Sequence, residues 1–223
     1  MKKTLVATTA LGLLALSATS MTALADSQES PLTSITNKTD VTFTPGSGED
    51  VDPIVPDDTH DDDPSTGDTG SLSIPFASNI TFGKHEVSQG DETYFALNQK
   101  PHVQVNDTRG GAKGWSLGVT LKPFVGENGN ELTGAKMTLS NGKVVTKNNK
   151  SPMPKMADTS FDLNEQYQDL MLAKEGQGAG GFAAVFEGED GNNQNVKLYV
   201  PRAGVEAQAY TADLTWVLTD APA

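Results

Sequence analysis

Two stretches of strict alternation limit what this chain can fold into. In Trp115-Ser-Leu117-Gly-Val119-Thr-Leu121 the apolar side chains fall on one side, with Ser116, Gly118 and Thr120 on the other. Tyr210, Ala212, Leu214, Trp216 and Leu218 repeat the pattern against Thr211, Asp213, Thr215 and Thr219. A period of two residues is that of a strand with one face buried. Both tryptophans of the chain lie in these runs, each as a Trp-x-Leu triplet, Trp115-Ser116-Leu117 and Trp216-Val217-Leu218.

From Ser71 onward the same short-strand texture continues between turn residues. Strands are predicted at 72–74, 80–82, 93–97, 102–105, 115–121, 136–139, 143–146, 166–172, 183–186, 196–200 and 209–218, a spacing typical of an all-β sandwich, Ig-like or related. Asn141-Gly142, between Met137-Thr-Leu139 and Val144-Val145, predicts a tight hairpin, because this dipeptide adopts the positive φ angles such turns need. The one helical alternative is a short segment over 162–174. No repeat of solenoid or propeller period is visible.

Residues 1–25 have the form of a secretory signal peptide. Lys2 and Lys3 precede the apolar stretch Leu5–Leu16, and Ala23-Leu24-Ala25 provides small residues before a mature start at Asp26. That stretch is too short to span a bilayer and no other approaches the ~20 residues required, so export without a membrane span is expected. No Cys is present, which removes disulfides and thiol chemistry. A domain of about 150 residues buries roughly 70% of its unfolded surface, enough for one core without such staples.

Charge divides the chain. Residues 26–70 hold 12 acidic residues and one basic, Lys38, whereas residues 71–223 hold 17 acidic and 13 basic. With Pro45, Pro53, Pro56 and Pro64 and few apolar residues, the acidic stretch reads as a disordered, self-repelling linker in front of a domain at 71–223. Its run Asp57-Asp58-Thr59-His60-Asp61-Asp62-Asp63 lacks the spacing, Gly and closing Glu of a calcium loop. Net negative charge is unsuited to nucleic acid, which is bound by neutralising phosphates.

Motifs suggestive of catalysis fail on context. Gly114-Trp-Ser116-Leu-Gly118 spells a nucleophile elbow, but it opens a strand where an elbow joins a strand to a helix, and no His follows His102. Gly176-Gln-Gly178-Ala-Gly180-Gly181 contains G-x-G-x-x-G, yet the strand-like Phe182-Ala-Ala-Val185 follows it and no helix start is there to receive a phosphate. A flexible hairpin loop is expected instead. His60, His85 and His102 are too scattered for a zinc site, and nothing indicates a cofactor. Paired glycosidase carboxylates would have to converge in space, for which the sequence offers no sign.

Tyr210-x3-Leu214-Thr215-Trp216-x-Leu218-x3-Pro222 resembles the C-terminal signature of WxL-domain proteins, surface proteins of low-GC Gram-positive bacteria. The resemblance extends through Asn79-Ile-Thr-Phe-Gly83, Val103-Gln-Val105-Asn-Asp107 and the first Trp-x-Leu, covering residues 70–223. It implies a non-catalytic protein held non-covalently at the cell wall, with peptidoglycan or another wall polymer as ligand and co-produced surface proteins as companions. The residues it nominates for wall contact are Trp115, Leu117, Tyr210, Trp216 and Leu218. The closing Thr219-Asp-Ala-Pro-Ala223 holds no LPxTG-like signal or apolar tail, so covalent anchoring is not expected.

Two assignments for the tryptophans stand side by side. An indole alternating inward from a strand fills a sandwich core, and each can bury 150–250 Å²; an indole on a surface would meet wall sugars or peptides. A second candidate surface is the basic loop with Lys143, Lys147, Lys150 and Lys155, where no acid intervenes and wall-polymer phosphates could be met. A structural or adhesive subunit, pairing through an exposed strand edge with another surface protein or a host matrix protein, is the alternative function.

Overall fold

Trp115, Leu117 and Val119 are fully buried and Leu121 nearly so, the outcome their alternation demands of β4 (Trp115–Leu121). The computed structural model describes residues 35–56, 58, 60 and 64–220; the expected signal peptide lies outside them. The described chain is all-β. One antiparallel sheet runs in the order β1 (Leu72–Ala77), β3 (His102–Asp107), β11 (Gly180–Val185), β7 (Lys143–Val145). A second runs β14 (Leu214–Thr219), β4, β10 (Gln168–Ala173), β8 (Lys155–Met156). A third runs β2 (Glu92–Ala96), β12 (Asn193–Val200), β6 (Lys136–Ser140), β9 (Ser160–Leu163). A short ribbon pairs β13 (Tyr210–Thr211) with β5 (Val125–Gly126).

The three larger sheets share one core. Ile74, Val103 and Phe182 come from the first, Trp115, Leu117 and Leu170 from the second, and Leu139, Phe161 and Val196 from the third. This is the packing of a β-sandwich, each sheet turning its apolar face inward.

Several local expectations are corrected. Residues 80–82 form no strand; Ile80 and Phe82 still pack on the core, while Asn98 Oδ1 accepts the Thr81 N–H at 2.9 Å. The segment 162–174 holds no helix but the end of β9, a turn and β10, because Leu170, Met171 and Ala173 are buried on a strand next to β4. Asn141 does take a positive φ of 54°, yet β6 and β7 do not pair: β6 bonds to β12 and β9, and β7 to β11. The dipeptide is a corner between sheets. The second glycine loop likewise carries the chain from the second sheet to the first, not around a hairpin.

The acidic stretch behaves differently from a solvated spacer where it is described. Thr42–Ala223 is one compact unit. Gln104, fully buried on the outer side of β3, accepts the Ile54 N–H at 2.8 Å and donates to the Asp52 carbonyl at 3.1 Å. Val55 is buried with Ala183 and Val185 of β11, and Ile54 and Val145 pack on them. Asp58 is buried too, and its Oδ2 accepts the Lys100 N–H at 2.6 Å. Farther on, Ser65 bridges Phe76, and the Ala77 N–H donates to the Pro64 carbonyl at 2.7 Å. The reason is local: Ile54-Val55 is an apolar pair in a polar stretch, and β11 is apolar on both faces, with Phe182 and Ala184 inward and Ala183 and Val185 outward. That outward face needs a cover.

Candidate functional site

The two Trp-x-Leu triplets meet on one sheet. In the antiparallel register of β4 and β14, Trp216 lies opposite Val119 and Leu218 opposite Leu117; Trp115 lies opposite Ala173 on the other neighbour, β10. Trp115 and Leu117 are fully buried, so neither has a face to offer a ligand. Trp115 also spends its one polar group inward, donating its indole N–H to the Gly178 carbonyl at 2.9 Å. Gly178 has a φ of +76°, and a Cβ there would fall 2.6 Å from Trp115 Nε1, so the tight approach requires glycine.

Trp216 and Leu218 are half-buried against the same core, on a strand that among the described residues lies at the edge of its sheet and pairs with β4. Tyr210 stands on the separate β13–β5 ribbon, half-buried, its hydroxyl accepting the Glu206 N–H at 3.0 Å. Lys143, Lys147, Lys150 and Lys155 are all exposed along the connection from β7 to β8. Lys147 faces the docked acidic stretch across a cleft of about 290 Å³ that also takes in Asp50, Asp52, Gln104 and Asn106. The sequence therefore nominates residues in three places: a core wall, a ribbon and a basic loop.

What the second sheet offers to solvent is its opposite face. Thr215, Val217 and Thr219 alternate outward from β14 and are exposed. Over the centre of β4 lies Tyr167, from the turn before β10: a Cβ on Gly118 would fall 2.1 Å from Tyr167 Cε2 and 2.3 Å from Cζ. The ring thus rests on bare backbone, while the residue stays 46% exposed. Its hydroxyl donates to Asp169 Oδ1 at 2.9 Å and lies within reach of Ser116 and Thr219. Partial burial, and then the Asp169 carboxylate, hold the phenol above its ordinary pKa. The sequence reading passed over Tyr167; the available signal was a glycine at the middle of a strand, which marks the close approach of another group.

The serine of the elbow-like motif, Ser116, sits within β4 and on its outer side, far from the strand-to-helix turn such chemistry needs. Ser78 Oγ and His102 Nδ1 are 3.1 Å apart, but both residues are buried and the same Oγ accepts the His102 backbone N–H at 3.0 Å, a structural latch at the start of β3. Among the described residues no group of three or more potential ligands gathers to hold a metal ion, and no helix is long and apolar enough to cross a membrane.

No curated protein and no solved structure matches the chain. A family model, WxL domain surface cell wall-binding, matches residues 30–222. The match includes both Trp-x-Leu strands and also the docked acidic stretch, about 40 residues before the boundary composition suggests. With nearly the whole chain matched, the protein is a member of the WxL-domain family of surface cell wall-binding proteins.

Proposed function

We propose that the protein is exported and attaches non-covalently to peptidoglycan through its WxL domain, by a preformed surface and without catalysis. The observation that carries this reading is the register of β4 and β14, which turns the Trp and Leu of both triplets toward the core and leaves the opposite face of their sheet, with Tyr167, Val217 and the threonines, open to solvent. In this reading the Trp and Leu side chains of the triplets build the wall-binding sheet and do not themselves touch the wall. A rigid sheet face loses little conformational freedom on binding, which favours attachment to a repetitive polymer.

Sedimentation of the chain from Asp26 onward with protein-free peptidoglycan tests it. Capture that survives protease treatment of the wall supports the reading. The edge position of β14 favours one other function, a subunit that adds a strand to a partner surface protein or a host matrix protein. Under that alternative, the chain is retained by walls that keep their proteins and lost from walls stripped of them.

A further inference from the structure

Tyr167 has the attributes of a recognition residue and few of a packing one. Its ring lies on the outer side of the sheet, its Cε2–Cζ–hydroxyl end over Gly118, and nearly half of the residue stays open to solvent. The hydrogen bond to Asp169 Oδ1 restrains the ring's position there. Val217, opposite Gly118 in the β4–β14 register, is 38% exposed and extends the apolar patch, and Thr219 and Asp169 border it with oxygen.

A flat aromatic face with an apolar neighbour and a rim of hydroxyl and carboxylate oxygens is complementary to a pyranose ring. The sugar's C–H face meets the electron-rich ring face, and its hydroxyls donate to the rim. Charge narrows the choice of occupant. The chain carries a formal −13, and Asp169 stands at the patch itself; a phosphate polymer would be repelled there, whereas an uncharged sugar would not.

Resting on the attachment reading above, we propose that Tyr167, seated over Gly118, is the stacking platform for a neutral N-acetylated pyranose of the glycan strand. Asp169 and Thr219 take the hydroxyls at the ring's edge. Gly118 is then a positioning residue: the first Trp-x-Leu strand contributes to recognition by lacking a side chain at the point where the platform must lie.

The test combines NMR titration with chitotetraose and sedimentation with protein-free peptidoglycan, on the chain from Asp26 and on four variants. Tyr167→Ala removes the platform, Gly118→Ala displaces it while keeping the tyrosine, Tyr167→Phe keeps the platform without its hydroxyl, and Tyr199→Phe alters another exposed tyrosine on a different sheet. Expected are upfield ring-current shifts of the sugar C–H protons, about tenfold weaker binding for Tyr167→Ala and Gly118→Ala with folding retained by circular dichroism, a smaller loss for Tyr167→Phe, which keeps the ring but not its bond to Asp169, and near wild-type binding for Tyr199→Phe. If wild type sediments and both Tyr167→Ala and Gly118→Ala sediment equally well, the platform is overturned and attachment stands. If wild type neither sediments nor shifts with the tetrasaccharide, platform and attachment both fail. Should Tyr167→Ala misfold, Gly118→Ala against Tyr199→Phe decides, since a platform requires the first to lose binding and the second to keep it.

Discussion

The indole N–H of Trp115 and the carbonyl of Gly178, 63 residues further along the chain, meet across 2.9 Å in the interior. One strand of the second sheet is thereby tied to the turn that leads into the first. A tryptophan in this position does two jobs at once, filling volume and satisfying a buried acceptor.

Trp115→Ala should cost about 3–5 kcal/mol, and Trp115→Phe about 1–3 kcal/mol, since the latter fills much of the space but leaves the Gly178 carbonyl without its donor. Trp216→Ala, on the half-buried edge strand, should cost about 1–3 kcal/mol. Urea unfolding midpoints check the order. Equal losses for the two alanine variants would contradict the different burial of the two triplets.

Gln104 is the hinge point of the docked acidic stretch, bonded to both Asp52 and Ile54. Gln104→Ala should cost about 1–3 kcal/mol by leaving that N–H and that carbonyl without partners. It should also release residues 46–56 to proteolysis while the near-ultraviolet dichroism of buried Trp115 is unchanged. Mass spectrometry of timed digests reads the cut sites.

Asp107 and Arg109 form a nearly buried fork, with Arg109 Nε donating to Oδ1 at 2.9 Å and Nη2 to Oδ2 at 2.8 Å, and Nη2 also to the Gly114 carbonyl at 2.8 Å. Arg109 further pairs with Asp220, at the end of β14. Asp107→Ala leaves the guanidinium buried and half-matched, for an expected loss of about 3–5 kcal/mol by thermal or chemical unfolding. Loss of Asp220, which is exposed, should cost far less.

A pH window follows from Asp91 and Tyr199. The Arg202 backbone N–H and then the Tyr199 hydroxyl hold Asp91 below its ordinary pKa, so its contribution is present above about pH 4 and is lost as pH falls through the lowered value. The Asp91 carboxylate in turn raises Tyr199, whose contribution is complete below about pH 10 and is lost as pH rises through the raised value. The difference in Tm between wild type and Asp91→Ala should be flat between these limits and shrink beyond each. A difference independent of pH would contradict the pair.

Which parts of this molecule could be read from its residues depended on how local the cause is. β4 has the bounds its alternation predicts, because period-two burial is written in the strand itself. Asn141 has the predicted backbone conformation but not the predicted hairpin, since turn chemistry sets φ and says nothing of which sheet each flanking strand joins. The docking of Ile54 and Val55 was hidden by averaging over an acidic stretch; the sign of it lay elsewhere, in the two-sided apolar run Phe182-Ala-Ala-Val185 that required a cover. Tyr167 belongs to a polar turn and becomes visible only with Gly118 beneath it.

The placement of the acidic stretch has an electrical consequence. Asp58 Oδ2 accepts the Lys100 N–H on the approach to β3, Asp68 Oδ2 accepts the Ile74 N–H at 2.8 Å, and the Asp52 backbone is held by Gln104, so the carboxylates of Asp58 and Asp68 are fixed beside one sheet where a free tail would scatter them. These two charges therefore keep constant places on the molecule. Within a Debye length of about 8–10 Å of an anionic polymer, fixed carboxylates would be repelled in a way that depends on how the molecule is turned. Orientation at the surface would then be set by repulsion as much as by any contact that holds the protein there.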